Sequence, residues 1–167
     1  PGTVVTYETL GLTLELLRVD RLAMVWGYIF NIAAFLAMLF AFHERDTMQQ
    51  VSALIYAGAA IAAVFAGDLV TLFVYWELTA ISSVFLIWAA RTERAYKTGM
   101  RYLLIQVGSG VILLAGVLLW YNDTGSIQFG HIGIETLAGK LILIAFGIKC
   151  AFPLLHNWLQ DAYPEAT

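Results

Sequence analysis

Residues 22–42 read LAMVWGYIFNIAAFLAMLFAF, with Asn31 as the only strongly polar side chain. Coiled as an α-helix the run is about 31 Å long, enough to cross the hydrocarbon core of a bilayer. Four more apolar runs follow. Residues 51–66 are short and rich in alanine and glycine, a composition that lets helices approach closely and places this run inside a bundle. Residues 69–90 follow a tight Gly67-Asp68 turn and are interrupted by Glu77. Residues 102–121 contain Gln106 and the Gly108-Ser109-Gly110 triplet. The last run starts near Thr136 and reaches Pro153, with Lys149 inside it. The expected fold class is therefore an all-α integral membrane protein, an up-and-down transmembrane bundle of about five spans whose last helix is broken.

Composition agrees. Of 167 residues, 60% are apolar and 13% charged, with mean hydropathy +0.78. A soluble domain averages about half apolar and about a quarter charged. The net charge of −3, with no basic patch interleaved with aromatics, excludes nucleic acid as a partner. The lone Cys150 excludes an internal disulfide and an all-cysteine metal site. Its place in an apolar run reads as a small buried residue. No nucleophile has a paired base, no phosphate loop is present, and His43, His131 and His156 are scattered. The expectation is no soluble catalysis, no metal and no cofactor.

Residues 1–21 alternate apolar and polar positions (Leu10, Leu12, Leu14 and Leu16, with Thr13 and Glu15 between), the period of a short strand or hairpin with Gly2 and Gly11 near its turns. The chain opens without a signal segment and ends on PEAT, so an internal piece of a longer protein is expected. The expected division is a hairpin remnant outside the membrane at 1–21 and one membrane domain at 22–167. If the spans alternate, one side of the membrane receives Arg45, Arg91, Arg94, Lys97 and Arg101, against Arg18 and Arg21 ahead of the first span on the other. The positive-inside bias puts the 43–50 and 91–101 loops in the cytoplasm.

Two ionisable side chains lie well inside apolar spans. Glu77 is about 13 Å along a helix from Asp68, and Lys149 is similarly deep. Burying either alone costs at least about 2.5 kcal/mol, so the economical arrangement makes them partners or gives them water. Desolvation disfavours the charge on each, and an opposite charge restores it. A Glu–Lys pair whose separation changes is thus a proton switch: close, the lysine holds its proton; apart, it releases it. The alternatives are a carboxylate that merely fastens helices and a lysine that snorkels to an interface. Pro153 strips a backbone carbonyl near Lys149 of its helical partner, which marks either an ion path or a passive kink. His156, seven residues beyond Lys149, would share its face on an unbroken helix. It reads equally as a further proton relay or as a hydrogen-bonded interfacial histidine. Gln106, Ser109, Asn157 and Asn31 are either water-holding groups or helix–helix glue, and Trp158 and Tyr163 read as packing or belt residues.

Three stretches, YWELTAISSVFLIWA, RYLLIQVGSGVILLAG and GIKCAFPLLHNWLQDAYPEAT, resemble the antiporter-like membrane subunits. That family includes the D- and A-type subunits of Mrp cation/proton antiporters and the large proton-pumping subunits of respiratory complex I. The wording is most similar to the Mrp D-type. The resemblance covers the chain from about Tyr7 onward. It implies a bundle of about fourteen helices containing two inverted repeats, of which this chain holds most of the first. It also implies that the motif glutamate and lysine, here Glu77 and Lys149, form the proton-transfer pair; His156 is a weaker relay candidate, from its position alone. The implied activity is Na+/H+ exchange by a secondary transporter in the inner (plasma) membrane of a prokaryote. Implied partners are other subunits of a multi-subunit complex, the lipid bilayer, protons and monovalent cations. The competing readings are a proton-translocating subunit of a redox-driven complex (an NADH-quinone oxidoreductase or membrane hydrogenase) and a static membrane scaffold.

Overall fold

The computed structural model describes residues 2 and 4–166. Pro1, Thr3 and Thr167, and the ends of the 1–21 and 22–167 divisions that fall on them, lie outside the described residues. The chain begins with two antiparallel strands, β1 (Val4–Thr9) and β2 (Leu12–Arg18). Leu10 and Gly11 join them, both at positive φ (51° and 75°), the mirror-image turn whose twist suits a hairpin.

Six α-helices follow among the described residues: α1 (Arg21–Phe40), α2 (Thr47–Val64), α3 (Leu69–Trp88), α4 (Glu93–Thr124), α5 (Leu137–Lys149) and α6 (Asn157–Ala162). Their starts are set by side chains that accept a backbone N–H of the first turn. Asp20, Asp46, Asp68, Thr92 and Thr136 cap α1 to α5 in this way. Helices α1 to α4 are each long and apolar enough to cross a membrane. The chain is a multi-pass membrane protein.

The fifth span differs from its expected form. Helix α5 has only 13 residues, about 20 Å, too short to cross. The helix stops at Lys149, four residues ahead of Pro153. Ala151 takes the left-handed conformation (φ 53°), its N–H donates to the Ile148 carbonyl at 3.1 Å, and the Phe152 N–H reaches back to the Gly147 carbonyl at 2.8 Å. This is a Schellman ending built on alanine instead of glycine. Phe152 then lies against Gly147, where a β-carbon would be 3.1 Å from its ring.

Helices α2, α3, α4 and α5 pack in chain order, and α3 and α4 supply most of the buried residues, Leu113, Val84 and Val117 among the largest. Helix α2 seats Ser52 and Ala59 but leaves much of its surface uncovered, so its small residues do not enclose it in this chain. Glycines set the close contacts of α4. A β-carbon at Gly116 would sit 3.1 Å from the Ala138 carbonyl oxygen and the Ile142 nitrogen of α5.

The two ends of the bundle are held differently. At one end β2 and the segments around residues 65–69 and 127–128 share backbone hydrogen bonds: Arg18 N–H to Phe65 O (2.7 Å), Gly67 N–H to Glu15 O (2.9 Å) and Leu69 N–H to Ile127 O (3.0 Å). Asp68 is fully buried there. Its carboxylate accepts from the Glu15 N–H at 2.6 Å and from the Thr71 N–H and hydroxyl, both at 2.8 Å. At the other end Arg91 pairs with Asp46 (2.9 Å), Arg94 with Glu165 (2.7 Å) and Arg101 with Asp161 (2.6 Å). Arg91, Arg94 and Arg101 thus gather at one end and the hairpin lies at the other, as strict alternation of the spans requires.

Asp68→Ala removes a helix cap and strands buried donors, so it is expected to cost about 2–4 kcal/mol. Asp68→Asn, which still caps, should lose less. Thermal unfolding of the detergent-solubilised protein reads this. Equal midpoints for Asp68→Ala and the parent would show that the clamp carries no weight.

Candidate functional site

The charged pair of the apolar spans meets where α3, α4 and α5 converge. On α3, Trp76 is buried and Glu77 half-buried. One turn further, the Thr79 hydroxyl donates to the Trp76 carbonyl at 2.7 Å. On α4, Gln106, Ser109 and Gly110 face α3. The Trp76 indole N–H donates to Ser109 Oγ (3.3 Å), whose hydroxyl donates to the Gln106 carbonyl (2.6 Å). Glu77 folds its carboxylate onto the α4 backbone at Gly110. A β-carbon there would occupy the position of Glu77 Oε1. The glycine triplet of α4 therefore makes room for an acid, not for a turn.

Lys149 is the last residue of α5, where the backbone breaks. Its ammonium lies 3.4 Å from the Trp76 carbonyl oxygen and 5.1 Å from the centre of the Trp76 ring. It is near enough to Glu77 for the two charges to act on each other. Among the described residues, however, the pair is not one of the ion pairs closer than 4.0 Å. The helix end is satisfied from within. The Trp158 indole N–H donates to the Ile148 carbonyl at 2.9 Å, and the Trp158 ring packs edge-on to Tyr102 at 5.6 Å. Trp158 is thus a cap for a broken helix, a role its sequence position as a packing or belt residue did not reveal.

A cavity of about 310 Å³ opens beside Lys149, lined among others by Tyr56, Ser83, Tyr102, Gln106 and Tyr163. Ser83 Oγ and the Tyr102 hydroxyl are hydrogen-bonded at 2.7 Å. Gln106 is fully buried. Its amide oxygen and nitrogen, like Glu77 Oε1, have no hydrogen-bond partner among the described residues. Buried polar groups of this kind are ordinarily satisfied by water, and the cavity has room for several molecules.

The structure brings Glu77 and Lys149 together and sets His156 apart. The turns at Ala151 and Leu154, both at positive φ, end the helical face that His156 would have shared with Lys149. His156 stands just before α6, half-buried, with no capping hydrogen bond from its side chain, and is not among the residues lining the cavity. Asn157 is exposed, and Asn31 donates to the Gly27 carbonyl (2.8 Å) as local helix glue. Cys150 is exposed on this chain instead of buried. Among the described residues no three His, Cys, Asp or Glu side chains converge as metal ligands would.

Residues 66–167, which hold Glu77, Gln106 and Lys149, match the family described as NADH:quinone oxidoreductase/Mrp antiporter, TM. The chain belongs to this family. Within it, the chain is 28% identical over 169 residues to the N-type subunit of the NADH-quinone oxidoreductase of Deinococcus radiodurans, covering 90% of this chain and 34% of that protein. It is 26% identical over 162 residues to the D-type subunit of the Na(+)/H(+) antiporter of Bacillus subtilis, covering 88% and 33% respectively. A structure of the Mrp complex from Dietzia sp. DQ12-45-1b superposes with a TM-score of 0.81 at 23% identity, covering 99% of this chain and 34% of that one, a likeness of fold. The chain spans about a third of the length of these antiporter and oxidoreductase relatives. They are named as subunits or as a complex, and the family's membrane fold is the one seen here.

Gly110→Ala tests the seat of the Glu77 carboxylate. The end of a flexible side chain can swing away, so the variant should fold at a cost below about 1 kcal/mol, helped by the helix propensity of alanine. The carboxyl infrared band assigned by Glu77→Gln subtraction should shift. An unmoved band would show that the acid does not rest on Gly110.

Proposed function

We propose that this chain is part of a membrane subunit that exchanges a monovalent cation, Na+ in the first instance, for protons, with Glu77 and Lys149 as its proton switch. The observation that supports this most directly is the placement of the Lys149 ammonium. It sits at an internal helix break, held by the backbone of the residue next to Glu77 and facing a polar-lined cavity. Broken helices at membrane depth are tolerated where they line such a cavity. Lys149 and Glu77 stand beyond direct ion-pair contact, which on this reading is the looser of the pair's two arrangements, with the carboxylate still acting on the ammonium through space. The relay role of His156 is proposed from its position at the start of α6, two residues before the cavity-lining Trp158. The subunit would work in the plasma membrane of a prokaryote within a multi-subunit assembly, surrounded by lipid and driven by an ion gradient. On this reading the hairpin belongs outside the cell and residues 22–167 form the first part of a larger membrane domain.

A second reading has comparable support. The match to an oxidoreductase subunit, at 28% identity, is no weaker than the match to an antiporter subunit, at 26%. The same residues would then move protons for a redox-driven complex.

The test uses the full-length subunit in its assembled complex. Glu77→Ala and Lys149→Ala should each abolish cation-linked proton flux in everted vesicles while assembly survives. Normal flux in both variants would reduce the pair to a static fastening. Proton pumping driven by NADH or ferredoxin, without cation exchange, would select the redox reading.

A further inference from the structure

The ammonium of Lys149 is not bound to the carboxylate one would assign it. It rests on the neighbouring residue, which offers it two things at once: a backbone carbonyl oxygen at 3.4 Å and an aromatic face at 5.1 Å. We infer that Trp76 is a second docking place for the Lys149 ammonium, a positioning residue that holds the lysine away from Glu77. This rests on the switch proposed above and names its other resting point.

Three features favour a built platform over ordinary core packing. The indole is fixed at its nitrogen by Ser109 (3.3 Å), and Ser109 is in turn tied to the α4 backbone at Gln106 (2.6 Å). Phe146, on the same helix as Lys149, meets the ring edge-on at 4.9 Å and 70°, so ring and lysine are placed by one rigid element. Core packing accounts for the burial of Trp76. It does not account for a ring clamped on two sides while presenting its face, the electron-rich part, to a cation. Meanwhile Glu77, next along α3, turns its carboxylate to Gly110. A cation moving between them travels from one residue's face to the adjacent residue's carboxylate, both on α3. Without the ring, the Trp76 carbonyl alone would compete with the carboxylate, and the lysine would shift toward Glu77.

The test replaces Trp76 in the full-length subunit, in the assembled complex, with tryptophans carrying progressively more fluorine. These keep the ring's size and drain its π density. Cation-linked proton flux should fall stepwise along the series. Trp76→Phe, which keeps a weaker aromatic face and loses the indole N–H, should fall between the parent and Trp76→Leu, which should lose roughly tenfold. In an electron-microscopy map of Trp76→Leu the ammonium should move to within ion-pair distance of Glu77. A flat response along the fluorine series, with Glu77→Ala still inactive, would overturn the platform and leave the switch standing. Full flux in both Glu77→Ala and Lys149→Ala would overturn platform and switch together. Should Trp76→Leu fail to assemble, the size-preserving fluorine series alone decides.

Discussion

A cation in hydrocarbon has to be solvated by the protein, and the arrangement around Lys149 follows from that requirement. A carbonyl in an intact helix already holds its helical N–H and has only its second lone pair to offer an ammonium. Ending α5 at Lys149 frees the backbone locally, and a Schellman turn together with the Trp158 indole satisfies the carbonyls so released. The lysine is left facing another helix, where the Trp76 carbonyl already receives the Thr79 hydroxyl and accepts the ammonium as well. Break, cap and acceptor form one solution to one desolvation problem.

That solution needs the helices to be close, and closeness comes from glycine. Gly110 admits the Glu77 carboxylate and Gly116 admits the backbone of α5. Between them, Leu113 and Val117 are fully buried against α3 and α5 in the same apolar cluster as Trp76. In a membrane, where lipid is as apolar as leucine, contact of this kind rests on fit rather than on expulsion of water. The same tightness confines the polar groups of α4 to the cavity beside Lys149, where Gln106 faces both its unbonded amide atoms into protein.

Much of this was legible in the sequence because hydrophobic length and buried charge are one-dimensional signals. Four of the spans, the alternation of their ends, and Glu77 with Lys149 as depth-matched ionisable residues could be read from runs and spacing alone. The helix break was visible through Pro153 but misplaced by four residues. Its position is decided by a left-handed alanine and by Trp158, and neither carries a composition signal. Trp76 was hidden for a related reason: a tryptophan in an apolar run reads as packing until the partner over its face is known. Asp68 was seen only as part of a turn. Its full burial depends on β2 arriving from fifty residues away, a contact no local pattern encodes. The face that His156 was expected to share with Lys149 relied on a continuous helix that the turn at Ala151 interrupts.

The two ends of the bundle are fastened by bonds of different kinds. Around Asp68 the fastening is buried, made of backbone hydrogen bonds and the Asp68 carboxylate, and little screened by salt. Around α6 the buried Trp158 and Ala162 are accompanied by ion pairs from the exposed Arg94 and Arg101 to Glu165 and Asp161, of a type worth about 0–1 kcal/mol and screened by ions. Mechanically the molecule is a lever with one welded joint and one magnetic catch. Raised salt therefore loosens only the catch, on the side of the basic loops, and leaves the hairpin end as it was.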